Sequence, residues 1–205
     1  MVSTLAALDV AGIVRTRAGA RHVLRLPVVR ELAADRRLIE LAARFVGPGA
    51  VAFRATLFDK SPNANWLVAW HQDTALPLLR RIADAAWGPW STKAGVLYAR
   101  APAWALETVI ALRISLDDST ETNGPLRVLP GSHRAGVLSG EEIEKLAAET
   151  RPVDCMTPSG GVVAMRPLTV HASSKSTDHR PRRVLHIEYA ASVCLGRDVE
   201  LAVDC

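Results

Sequence analysis

Apolar residues recur every three to four positions through Val28, Leu32, Leu38, Leu41, Ala42 and Phe45, with Pro27 ahead of them and Gly47-Pro48 behind. This spacing predicts a helix over 28–46, opened by the proline and stopped by the Gly-Pro pair. From Ala50 the period changes to two. Val51, Phe53, Ala55 and Leu57 alternate with Ala52, Arg54, Thr56 and Phe58, a strand pattern. A polar turn over 60–65 leads into a second apolar run over 66–70, so the two strands are expected to pair as a hairpin with a long loop. That run delivers His71 to a strand end.

The rest of the chain reads as short strands. Residues 1–26 are mixed and read as a loop leading into the body, while 74–102 carries Pro77, Gly88, Pro89, Gly95 and Pro102 and reads as an irregular cover. A β-rich run over 108–116 is followed by turn chemistry at Asp117-Asp118-Ser119 and Asn123-Gly124-Pro125, then a short strand over 126–129. Ser139-Gly140-Glu141-Glu142 forms a capping box that predicts a helix to about Thr150. Brief apolar runs follow over 153–156, 161–165 and 168–170, and a last strand over 183–193. Eight or more short strands with one strong and one short helix predict a mainly β protein, a sandwich or double-stranded barrel with flanking helices.

At 205 residues, one domain is expected, with a helical N-terminal part over 1–48 and a β core over 49–205. The hydrophobic share of 49% and charged share of 22% exclude a disordered chain. Net charge is +4, but the basic residues are dispersed, which argues against nucleic acid as a partner and suits an anionic small molecule. Cys155, Cys194 and Cys205 are far apart and lack any Cys-x-x-Cys spacing, which predicts reduced thiols. The apolar opening over 2–14 is broken by Asp9 and makes a poor signal peptide, and no run is long enough to span a membrane. A cytoplasmic protein is expected.

The chemistry gathers at Trp70-His71-Gln72-Asp73. Side chains two apart on a strand leave the same face, so His71 and Asp73 point into one cavity, and His171 stands at the end of another apolar run. Two histidines and a carboxylate on one face of an ion form the facial triad of non-haem Fe(II) oxygenases, with positions left open for co-substrate and dioxygen. An arginine pair, Arg182-Arg183, opens the next strand. An oxygenase using 2-oxoglutarate needs a fixed cation for the far carboxylate, and the guanidinium fork meets a carboxylate bidentately. Strand parity points one of the pair inward, and the sequence leaves open which. His22, His133, His179 and His186 read as surface or structural histidines, with His133 singled out by its place in a Pro-Gly-Ser-His turn. The five tryptophans read as core or rim, and Asp117 and Asp118 as turn formers.

Phe58-Asp59-Lys60-Ser61-Pro62, Asn65-Trp66, Trp70-His71-Gln72-Asp73, Asn123-Gly124-Pro125-Leu126, Pro130-Gly131-Ser132-His133-Arg134 and His171-Ala172-Ser173-Ser174 together resemble the phytanoyl-CoA dioxygenase family. The resemblance runs from about residue 20 to the C-terminus. It implies a double-stranded β-helix, a jelly-roll of two facing sheets, that binds Fe(II) and uses 2-oxoglutarate and dioxygen, with ascorbate as a supporting reductant. By position it implies His71, Asp73 and His171 as iron ligands, Arg182 as partner of the 2-oxoglutarate C5 carboxylate, with Arg183 the alternative, and Ser173 joining that carboxylate. Lys60, Asn65 and Trp66 are implied near co-substrate or substrate. The retained Asp73 favours hydroxylation of an unactivated C–H bond, or desaturation, over halogenation, since halogenating relatives have a small residue there. The chain is short for the family, so an opening element that covers the barrel is expected to be missing or rearranged. The competing readings are a non-catalytic or degenerate metal-binding double-stranded β-helix, and a zinc hydrolase, which would have no use for Arg182.

Overall fold

The computed structural model describes residues 15–16, 19–61, 64–196 and 198–203. The apolar opening over 2–14, Pro62, Asn63 and Cys205 lie outside the described residues. In chain order the strands are β1 (Arg15–Thr16), β2 (Gly19–Arg21), β3 (Val51–Lys60), β4 (Val68–His71), β5 (Ala75–Pro77), β6 (Trp90–Lys93), β7 (Val96–Arg100) and β8 (Val109–Ser115). They continue with β9 (Leu126–Val128), β10 (Val153–Cys155), β11 (Val162–Met165), β12 (His171–Ser173), β13 (Arg182–Ala190), β14 (Cys194–Gly196) and β15 (Val199–Glu200). The α-helices are α1 (Pro27–Ala33), α2 (Arg36–Val46), α3 (Ala103–Leu106) and α4 (Gly140–Glu149).

Two antiparallel sheets carry the site: a large one in the order β1-β2-β3-β13-β8-β11 and a smaller one in the order β10-β9-β12-β4. Neither closes on itself. The long strands of the large sheet are buried on both faces, and the two faces differ in kind. Ala55 and Leu57 of β3, Ile110, Leu112 and Ile114 of β8, and Leu185, Ile187 and Tyr189 of β13 pack with Val29, Leu32, Leu38 and Ala42 of α1 and α2 in one apolar layer. The alternate residues, Arg54, Thr56 and Phe58 on β3, Arg113 on β8, and Arg182, His186 and Glu188 on β13, turn the other way, into the cavities between the sheets, and Lys60 at the end of β3 reaches Ser173 on the same side. Period-two geometry thus puts a greasy outer face under the helices and a polar inner face over the site.

Several expectations are corrected. The helix over 28–46 is two helices, because Asp35 is extended and its carboxylate accepts from the Arg37 backbone N–H, capping a new helix start. The strand over 51–60 does not form a hairpin with 68–71. Its edges are taken by β13 and β2, and the chain crosses to the other sheet, where β4 pairs with β12. β1 and β2 add two short strands to the large sheet where a loop ahead of the helices was expected. The segment over 74–102 is not irregular: β5, β7 and β6 make a three-stranded sheet whose strands of three to five residues are too short to show a period. The apolar run over 168–170 precedes its strand, so His171 begins β12 instead of ending it, and the last long strand is Arg182–Ala190. The capping box at Ser139 is formed as expected. Cys155 and Cys194 are free thiols, and no helix among the described residues is long and apolar enough to cross a membrane.

Candidate metal centre and co-substrate cavity

Strand pairing brings the distant histidines together. In the β4–β12 pairing His171 lies directly opposite His71, and Asp73 follows two residues beyond His71, so one donor atom from each lies within 4.8 Å of the others. The imidazole centroids are 4.2 Å apart. Both rings are oriented in the same way. His71 Nδ1 lies 2.9 Å from the Ala69 carbonyl and His171 Nδ1 2.9 Å from the Thr169 carbonyl. A carbonyl only accepts, so each Nδ1 carries the proton and each Nε2 lone pair is left toward Asp73, at 3.8 and 3.6 Å. A backbone carbonyl on the far nitrogen fixes both the tautomer and the ring direction of a metal-ligating histidine.

The protonation states suit a cation. Burial pushes His171 down to about 4, outweighing the opposing pull of Asp73, so the ring is neutral at physiological pH. Burial also works against the charge on Asp73, but His171, His186, His71 and Arg54 outweigh it and hold the carboxyl below its ordinary range. Two imidazoles and one carboxylate converging in this way fit a divalent transition metal.

Gln72, between the two ligand positions, is a residue the sequence reading passed over. Its amide nitrogen donates to the Gly136 and Leu168 carbonyls, and its amide oxygen accepts from the Leu138 N–H, all at 2.8 Å. With Asp73 N–H bonded to the Pro167 carbonyl at 3.0 Å, these bonds fix the chain that carries the donors. Ser132 braces the opposite strand, donating to the Leu129 carbonyl and accepting from the Val170 N–H beside His171.

A cavity of about 80 Å³ extends from the triad between the two sheets, lined by Phe58, Trp66, Val68, Arg113, Leu126, Ser173 and Arg182. Arg182 gives its wall a positive charge, and Lys60 stands beside Ser173 of that wall. Arg182 is buried, donating to the Asn123 carbonyl at 3.1 Å and to Ser173 Oγ at 3.4 Å. Lys60, only 1% exposed, donates to Ser173 Oγ at 2.8 Å and to the Ser174 carbonyl, with its ammonium 5.3 Å from the Trp66 ring centre. Burial, then the neighbouring Arg182, lowers Lys60 to about 8; burial, then Arg113, lowers Arg182 to about 10. Among the described residues no carboxylate pairs with either. Two desolvated cations without a counter-ion are costly unless an anion joins them.

The structure separates the arginine pair. Arg183 points the other way and binds the Asp117 carboxylate at 2.7 and 2.9 Å, while Arg182 lines the cavity. Asn65 is not turned into the cavity: its amide makes two 2.7 Å bonds to the Ser176 backbone, pinning the loop after β12. His133 lines a separate cavity with Leu106, Glu107 and Arg166, away from the triad. His186 is buried on the inner face and accepts from Arg113 at 3.0 Å. Trp87 is core, packed edge-on against Trp104. The Asn123-Gly124-Pro125 turn forms the wall behind Arg182. The Gly124 carbonyl accepts from Ser173, and a Cβ at Gly124, whose φ is +68°, would clash with the Ser174 carbonyl oxygen.

The chain is 28% identical over 178 residues to L-proline trans-4-hydroxylase of Streptomyces griseoviridis, covering 74% of this chain and 59% of that protein. It therefore spans about three fifths of that relative's length. The crystal structure of AviO1 from Streptomyces viridochromogenes Tue57 is similar at 28% identity and a TM-score of 0.62, over 95% of this chain and 74% of that one. EctD from S. alaskensis, solved with 2-oxoglutarate and 5-hydroxyectoine, shares the fold at a TM-score of 0.67 and 23% identity, over 98% of this chain and 73% of that one. The model of the phytanoyl-CoA dioxygenase (PhyH) family matches residues 9–184, and the chain belongs to that family.

Proposed function

We propose that this protein is an Fe(II)- and 2-oxoglutarate-dependent dioxygenase that hydroxylates an unactivated C–H bond of a small molecule, with 2-oxoglutarate and dioxygen consumed and succinate and carbon dioxide released. The observation that carries this reading is one cavity lined by a His-Asp-His donor set and by buried Arg182, with Lys60 bonded to Ser173 of the same wall, two cations that no carboxylate of the described residues pairs with. His71, Asp73 and His171 would hold the iron, which when bound supplies the oxidising chemistry.

The chain's own residues bind, aim and exclude. Arg182 takes the C5 carboxylate through its fork, with Ser173 and Lys60 completing the contact. Trp66 and Phe58 wall the channel, the first stacked on Lys60 and the second under Arg113, and keep water from the dicarboxylate's middle. A zinc hydrolase would have no use for these cations. Asn65 acts through the loop it pins rather than by contact. The described residues work as one catalytic unit, and a reducing cytoplasmic setting, consistent with free Cys155 and Cys194, would keep the iron ferrous, with ascorbate supportive.

The test is anaerobic addition of Fe(II) and 2-oxoglutarate. The visible charge-transfer band of the chelate is expected, and on admitting air with ascorbate, slow succinate formation without substrate. Absence of both the band and succinate would leave a metal-binding β-sandwich without turnover.

A further inference from the structure

A second cavity, of about 330 Å³, shares His71, Asp73 and Phe58 with the first. Arg54 and Thr56 of β3 and His186 and Glu188 of β13 form its floor, and Arg21 of β2 and Lys93 of β6 stand at its walls. Its charges do not balance. Of its carboxylates, Asp73 belongs to the donor set and Glu188 is gripped by the Arg54 guanidinium, one bond of which is 2.5 Å. That leaves Arg21 and Lys93, whose side chains make no ion pair or hydrogen bond among the described residues.

Lys93 is held where it is. It ends β6 opposite Val96, across a two-residue turn in which Ala94 and Gly95 both have positive φ, 49° and 81°, the geometry of a tight hairpin. Its ammonium sits 5.0 Å from the Tyr98 ring centre, and the Arg54 guanidinium 5.4 Å from the same ring. Burial, then the charges of Arg21 and Arg54, lower its pKa, with Asp73 opposing. Cations converging on one cavity without an anion raise the free energy of the unliganded protein, and a bound anion offsets that cost. The cavity lies at the small end of the range for ligand pockets, and Thr56 of the floor and Thr74 add polar surface. A long acyl chain fits neither its size nor its lining.

We propose that this cavity takes a small polar molecule bearing a carboxylate or phosphate, anchored by Lys93 and Arg21, with the remainder lying against His71 and Asp73. The inference rests on the oxygenase reading in that it makes this anion the substrate.

Three probes with one ring separate the possibilities: cyclohexanecarboxylate, cyclohexyl phosphate and the neutral cyclohexanecarboxamide. Each is titrated calorimetrically into anaerobic protein with Fe(II) and saturating 2-oxoglutarate, so that the smaller cavity is filled. At least one anion is expected to bind about tenfold or more tighter than the amide, and the stronger of the two identifies the anchoring group. Lys93→Gln and Arg21→Gln should each remove most of that preference, whereas Arg80→Gln, at an exposed arginine beside Asp198, should keep it. Equal affinity across the set, binding by none, or a preference that survives Lys93→Gln and Arg21→Gln overturns the proposal. So does equal loss in Arg80→Gln, which would indicate net charge alone. The charge-transfer band before any probe is added reports on the oxygenase reading separately. A band with no anion preference sinks only the anion site, and a preference with no band sinks only the claim that the anion is a substrate.

Discussion

Replacing Arg182 with glutamine should raise the 2-oxoglutarate requirement by about 30- to 150-fold while the same change at Arg183 leaves it alone. The magnitude follows from the contacts. A buried charge-assisted bidentate pair contributes roughly 2–3 kcal/mol, and each 1.4 kcal/mol is about tenfold. Arg182, with its pKa near 10, is still charged at neutral pH and has no carboxylate of its own to lose. Arg183 spends its fork on Asp117 with both side chains partly exposed, a pair of a kind contributing roughly 0.2–1 kcal/mol, so its loss should lower stability slightly without touching co-substrate binding. The assay is an anaerobic 2-oxoglutarate titration of the Fe(II) protein followed by the charge-transfer band, with thermal unfolding run alongside. If Arg183→Gln weakens binding as much as Arg182→Gln, or if Arg182→Gln shifts it by less than about threefold, the inward cation is not what receives the carboxylate.

Three further outcomes are expected. Lys60 is a base with its pKa lowered to about 8, so its cation is present below that value and lost above it; apparent 2-oxoglutarate affinity should fall as pH rises from 7 to 9, and Lys60→Met should bind more weakly with that dependence flattened. Gly124→Ala places a methyl against the Ser174 carbonyl at a left-handed position and should cost about 1–3 kcal/mol in chemical denaturation as well as weakening 2-oxoglutarate binding; wild-type stability would mean that the turn does not press on the Ser174 backbone. Arg54→Met takes the guanidinium from Glu188, whose side chain is 3% exposed, and should destabilise by about 3–5 kcal/mol, while the double change Arg54→Met with Glu188→Leu should recover most of that; no recovery would mean the loss is of packing, not of the buried charge pair.

What could be read from the chain beforehand follows from how far each signal reaches. His71 and Asp73 were legible as a pair because they stand only two residues apart, although β4 ends at His71 and the Asp73 N–H bond to the Pro167 carbonyl, not strand period, sets the aspartate. The partner of the strand over 51–60 was not: its alternation says that both faces are occupied but nothing about which strand lies beside it, and a nearby apolar run offered a hairpin that the chain crosses sheets to avoid. The break at Asp35 is signalled by a capping residue, but that residue stands inside an otherwise continuous apolar stripe, which masks it.

The choice between Arg182 and Arg183 was also in the sequence, though not in the arginines. In β13, Leu185, Ile187 and Tyr189 share one parity and Arg182, His186 and Glu188 the other, and in β8 Arg113 sits between Leu112 and Ile114. A charged residue is rarely tolerated in a strand buried on both faces unless it lines a cavity or finds a partner. The parity that holds the charges is therefore the site face, and the apolar parity belongs to the helices over 27–46. By that rule Arg54, Arg113, His186 and Glu188 fall on the same face as Arg182. The strand polarity that excludes Arg183 from the small cavity also delivers Arg54, His186 and Glu188 to the larger one.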